Sequence, residues 1–184
     1  MGGLASKWQL RMSFLRRAVV TVPLLLLLGS AAGRVAPAGS ENAWYSALAK
    51  PALNPPDWAF PVVWTALYAL MGVALALVLH ARGARGRGTA LALFALAFAL
   101  NLLWTPVFFG LHRIGWALGI VAAMLLAGIA ATIAFARVRP LAGWLLVPYL
   151  VWVGFAGVLT WRILQLNPGA EAVAPGGRTT QIIG

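Results

Sequence analysis

Cysteine is absent from these 184 residues, which excludes disulfides, a thiolate nucleophile and any Cys-ligated metal. Acidic side chains are scarce: Glu41, Asp57 and Glu171 are the 3 carboxylates set against 14 Lys and Arg, for a formal charge of +11. None of them falls inside a long apolar run. No paired acids for hydrolysis and no intramembrane charge marking an ion path can therefore be assembled. The two histidines, His80 and His112, sit at the ends of different apolar runs. They are predicted to lie on opposite faces, which leaves no two-His clamp for a metal or haem iron and no Ser-His-Asp set. A Gly-rich phosphate loop following a strand is missing too.

What is present is apolar surface. The chain is 62% hydrophobic and 9% charged, with 9 Trp. A soluble domain of this size cannot keep so much apolar area from water. A bilayer crossing takes about 20 apolar residues, and five such stretches follow one another. The expected fold is an all-α membrane protein, a five-transmembrane-helix up-down bundle. Crossings are expected at residues 17–35, 59–80, 89–109, 115–136 and 143–164. The short connectors 81–88, 110–114 and 137–142 favour antiparallel neighbours. A basic extension (1–16) precedes the five-helix domain (17–166), and a Gly- and Pro-rich tail (167–184) reads as disordered. The first crossing also has the layout of a secretory signal peptide, with Ser30-Ala31-Ala32 as a cleavage site.

Basic residues fix the orientation. With the N-terminus in the cytoplasm, that side holds Lys7, Arg11, Arg16, Arg17, Arg82, Arg85, Arg87, Arg137 and Arg139. The smaller set Arg34, Lys50, Arg113, Arg162 and Arg178 lies opposite, so the positive-inside rule gives N-in, C-out. Single cations between apolar runs read as topology signals and headgroup contacts, and no nucleic-acid partner is expected. Alanine- and arginine-rich composition and short tails point to a bacterial cell membrane in preference to a mitochondrial outer membrane.

This topology gathers Trp44, Tyr45, Trp58, Trp64, Asn101, Trp104, Trp116 and Trp161 into one layer under the longest loop, residues 37–58. Asn101 is expected roughly 12 Å inside the end of the third crossing at ~1.5 Å per residue. A buried amide there needs a partner. Trp64 and Tyr68 share one face of the second crossing, and Asn101 and Trp104 share one face of the third. Trp64, Trp104 and Trp161 are expected to wall a pocket for a flat apolar ligand, oriented by one polar contact. Trp44, Trp58, Trp116 and Trp144 are expected in the interfacial aromatic belt. Pro106 and Pro148 interrupt their helices and make room between them. Small residues at Gly119, Ala123 and Ala127, and at Ala95 and Ala99, allow close helix packing, within the bundle or in a homodimer.

Three segments carry a resemblance. WYSALAKPALNPPDWAFPVVWTALYALMG (44–72), NLLWTPVFFGLHR (101–113) and WLLVPYLVWVGFAGVLTWRILQLN (144–167) resemble the translocator protein family, the tryptophan-rich sensory or peripheral benzodiazepine receptor group. The likeness spans residues 18–167. Its most specific part is WY-x2-L-x-KP-x3-PP followed by F-P-x2-W-x3-Y.

The resemblance implies a membrane-embedded sensor or transporter that binds tetrapyrroles and acts in porphyrin handling and stress regulation. Porphyrin or haem would be its ligand, with no cofactor required, and homodimers are expected. It assigns Trp64, Tyr68, Asn101, Trp104 and Trp161 to the cavity wall and Trp58, Phe60 and Pro61 to the segment that closes it. A light-dependent porphyrin breakdown, drawing electrons from Trp64 and Trp161, is the enzymatic alternative. Sterol or lipid transport is another. Against the family pattern, Leu53 stands where an aromatic is common, and Tyr149 lies too far before Arg162 to make the sterol motif.

Overall fold

The computed structural model describes residues 7–171. Among them there is no strand, and five helices are long and apolar enough to cross a membrane. The chain is an integral, multi-pass α-helical membrane protein. Its helices are α1 (Lys7–Arg34), a short lid helix α2 (Ala43–Ala47), α3 (Ala59–His80), α4 (Arg87–Thr105), α5 (Ile114–Val138) and α6 (Pro140–Leu166).

α1 starts earlier than the expected first crossing, because the basic segment before Arg17 continues the same helix. It is bound into the bundle. Thr21 donates its hydroxyl to the carbonyl of Gly72 on α3 at 2.7 Å, satisfying a buried polar group without water. Gly72 makes the approach possible: a Cβ there would lie 2.7 Å from the Val22 Cα. This contact builds the segment into the bundle.

The helices pack in the cyclic order α1, α3, α6, α5, α4. The short connectors place α4 beside α5 and α5 beside α6, as expected. α3 departs from that logic, since it lies mainly on α1 and α6 and touches α4 only lightly. The space between α3 and α4 at the lid end is where the cavity forms. Toward the other end, Met71, Phe94, Phe98, Phe135, Leu146 and Tyr149 fill the centre of the bundle. Buried Ala74, Ala90, Ala131 and Ala142 let the backbones close in around them. Ala95, Ala99 and Gly119 face outward, with Ala123 and Ala127 half-buried beside them.

α4 ends in a wide π-helical turn, Pro106–Gly110, whose carbonyl at Pro106 accepts from the Leu111 N–H five residues on. Proline brings no N–H of its own, so the tighter register is already broken where the turn begins. Past α6, residues 167–171 form a turn held against the lid, so the tail expected to be disordered from 167 is ordered at least to 171. The rest of that tail lies outside the described residues.

Candidate functional site

The lid is built from its own polar side chains. Asn42 caps α2, accepting from the Tyr45 N–H at 3.0 Å, and donates its amide to the carbonyls of Pro37 and Phe109, each at 3.0 Å. One side chain thereby joins the loop, the lid helix and the end of the π-turn. Tyr45 is buried, donates its hydroxyl to Asn54 at 2.9 Å and stands edge-on to Phe108 and Phe109. Across the loop, Asp57 accepts from the Ser40 N–H at 3.0 Å. The Ser40 hydroxyl and backbone N–H hold the Asp57 carboxyl below the ordinary carboxylate value.

Residues 167–171 pin the lid from outside. Asn167 reads both sides of the Ala49 peptide, donating to its carbonyl at 2.9 Å and accepting from its N–H at 2.8 Å. Trp44 stacks on His112 at 4.5 Å and donates to the Ala170 carbonyl at 3.2 Å. Glu171 accepts from the Gly115 N–H at 2.6 Å, at the N-terminus of α5, where a carboxylate is favoured by the helix dipole.

Beneath the lid lies a cavity of about 810 Å³ bordered by α1, α3, α4, α5 and α6. Of the residues expected there, Trp58, Phe60, Pro61, Trp64, Tyr68, Asn101 and Trp104 all line it. Trp64 stacks on Tyr68 with centroids 5.3 Å apart. Tyr68 donates its hydroxyl to the Asn101 carbonyl oxygen at 2.8 Å, closing the floor between α3 and α4. The depth argument for Asn101 thus finds its partner in Tyr68. Trp104 stacks on Phe108 at 4.9 Å, and its indole N–H is buried without a hydrogen-bond partner among the described residues. The wall therefore presents aromatic faces and one bound amide.

Trp161 is the exception. Its indole is 46% exposed on the outside of α6, with the Arg162 guanidinium 5.4 Å from the ring centroid. Trp152 lines the cavity in its place, packed edge-on to Phe60 at 6.1 Å and beside Phe155 at 5.4 Å. The reason is helical phase. At ~3.6 residues per turn, positions 152 and 161 are about two and a half turns apart and point in opposite directions. The buried positions Tyr149, Val153 and Thr160 carried the signal that separates the two faces. On α1, Gly29 and Gly33 were missed: they border the cavity together with Arg34, and the Tyr68 ring lies where a side chain at Gly29 would sit. Of the four Trp assigned to the aromatic belt, Trp58, Trp116 and Trp144 are exposed, Trp58 also bordering the cavity, whereas Trp44 is packed under the tail.

Comparison with known proteins agrees with this architecture. The family model described as TspO/MBR matches residues 19–166. The tryptophan-rich sensory protein of Cereibacter sphaeroides is 42% identical over 147 residues, 78% of this chain and 91% of that protein. Protein CrtK of Rhodobacter capsulatus is 40% identical over 139 residues, 73% of this chain and 84% of that protein. The translocator protein of Bos taurus is 39% identical over 148 residues, 78% of this chain and 86% of that protein. With the match running from the first crossing to the end of the last, this chain belongs to the TspO/MBR family.

Proposed function

We propose that this membrane protein binds a tetrapyrrole, a porphyrin or haem, in the cavity under its lid, and works as a sensor or transporter in porphyrin handling and stress regulation. The observation that carries the reading is the aromatic slot: Trp64, Trp104, Trp152 and Phe60 around a volume of about 810 Å³. Planar macrocycles gain most from offset stacking on such faces, and the volume falls within the range of small-molecule sites, roughly 300–1,000 Å³. Arg34 at the mouth is the nearest cation for a propionate. The alanine- and arginine-rich composition supports placement in a bacterial cell membrane.

Titration of the detergent-purified protein with protoporphyrin IX, followed at the Soret band, tests this. Removing both indoles in Trp64→Ala/Trp152→Ala should weaken binding by about tenfold or more, at ~0.5–1.5 kcal/mol per aromatic pair beyond area burial. Trp161→Ala should leave the curve unchanged. Equal curves for the wild type and the double variant would overturn the assignment.

A second reading is light-dependent porphyrin breakdown, favoured by the electron-rich Trp64–Tyr68 stack on the cavity wall. The photoexcited macrocycle would be the group oxidised and opened, dioxygen would take up its electrons, and the wall indoles Trp64 and Trp152 would hold the ring in place for the reaction. Illuminating the loaded protein in air should then bleach the Soret band at a rate that falls in both single Trp variants. Bleaching unaffected by either variant would leave binding alone.

A further inference from the structure

The carboxylates are segregated. Glu41, Asp57 and Glu171 all belong to the lid side, engaged in or near the lid and the cavity mouth. At the opposite end of the bundle the described residues include no acid. The cations there have no carboxylate of this chain to pair with among the described residues.

They converge at one corner. Arg17 of α1 directs one guanidinium nitrogen to the His80 ring nitrogen Nδ1 at 2.7 Å, and to the hydroxyl and carbonyl of Ser13 at 2.9 and 3.0 Å. An arginine only donates, so Nδ1 accepts and the ring carries its hydrogen on Nε2. Phe14 closes one side of the ring, edge-on at 6.4 Å. Arg82 lies in the turn directly after α3, its backbone N–H donating to the His80 carbonyl at 2.8 Å, and Arg139 at the α5–α6 junction adds positive charge felt at His80. Arg87 is not part of the set, since it caps the α3 carbonyls of Val78 and Leu79. Arg17 is thus bonded to His80, with Arg82 in the turn that follows His80 and Arg139 contributing its charge from the α5–α6 junction.

We propose that this corner is a binding site for the phosphate of an anionic phospholipid, such as a phosphatidylglycerol. The chemistry is that of charge-assisted hydrogen bonds from guanidinium to phosphate oxygens. A lipid is favoured over a free phosphate by what adjoins the site. From Arg17 the outer face of α1 continues as Val20 (63% exposed), Leu24 (46%) and Leu27 (69%), a stripe at helical spacing along which an acyl chain can lie. The anionic cytoplasmic leaflet also supplies such lipids at high local concentration.

Native mass spectrometry of the full-length protein, with phosphatidylglycerol or phosphatidylcholine added to the detergent, tests the site. The wild type should retain phosphatidylglycerol in preference, and Arg82→Gln/Arg139→Gln should lose about fivefold in retention per cation removed. Arg17→Gln should lose at least as much, with the double variant standing as the test if Arg17→Gln does not fold. The comparison Arg11→Gln/Arg16→Gln removes charges from the same end of α1 but outside the corner. If it lowers retention as much as the corner variants, attraction is diffuse and the site is wrong. Displacement of the lipid by millimolar inorganic phosphate would make the corner a free-anion site and overturn the lipid assignment. So would equal retention of phosphatidylcholine.

Discussion

Replacing Gly29 by alanine adds one methyl group to α1 and tests how tightly the cavity floor is set. An ideal Cβ at position 29 lies 2.5 Å from the Cζ of Tyr68, well inside contact distance. The ring cannot swing freely to make room. Trp64 is stacked on one face at 5.3 Å, Phe98 stands edge-on at 5.9 Å, and the hydroxyl is held by Asn101 at 2.8 Å. Either α1 withdraws from α3 or Tyr68 tilts and loses its hydrogen bond. Overpacking of this kind costs ~1–3 kcal/mol, and a lost intramembrane hydrogen bond adds roughly 0.6 kcal/mol. Alanine returns up to about 1 kcal/mol through helix propensity. The net loss should be about 1–2 kcal/mol. Gly154→Ala on α6 is the matched control, because nothing lies within 4 Å of its added Cβ and only the propensity gain remains. Thermal unfolding of both variants in one detergent should separate them, with Gly29→Ala below the wild type and Gly154→Ala at or above it. Porphyrin affinity should fall in the first variant alone. If the two variants behaved alike in both measurements, Tyr68 would not be wedged and the floor would not be rigid.

Other outcomes follow from the same contacts. Gly72→Ala meets backbone, with the Val22 Cα at 2.7 Å, and should loosen α1 from α3 so that a protease cuts between them more readily in detergent. Asp57 has a folded pKa depressed below its ordinary 3.8 by Ser40. Its contribution to lid closure is therefore complete above that ordinary value and is lost as pH falls through the depressed one. Lid protection against proteolysis should drop on acidification below about pH 4 in the wild type, and Asp57→Asn should start low and respond little. Asn167→Ala removes both bonds to the Ala49 peptide and should raise the porphyrin dissociation rate several-fold, read by stopped flow. An unchanged rate would mean the tail does not hold the lid.

The crossings were legible because the bilayer imposes a length and a composition that no other environment demands, and short connectors left little choice of direction. Residues tied to that geometry were legible too. Trp64 with Tyr68 and Asn101 with Trp104 are one turn apart, so each pair had to share a face, and both pairs line the cavity. Trp161 failed because membrane depth was used where rotation about the helix axis decides. Trp152 and Trp161 lie about two and a half turns apart on α6, and of the two only Trp152 lines the cavity. The role of α1 was hidden for a different reason. Gly29 and Gly72 act by what they lack, and only the rings and backbones opposite them reveal it. The anchored residues 167–171 carry loop-like composition, and their order comes from partners more than 50 positions away in sequence.

The π-turn at Pro106–Gly110 works as a phase adjuster. One added residue in a helix rotates everything beyond it by about 100°. Without the wide turn, Phe108 and Phe109 would leave the side from which they now meet Trp104, Tyr45 and each other. The Phe109 carbonyl would also turn away from Asn42, the side chain that ties the roof together. Shortening this segment by a single residue would leave the span long enough for the bilayer while misaligning the roof with its walls.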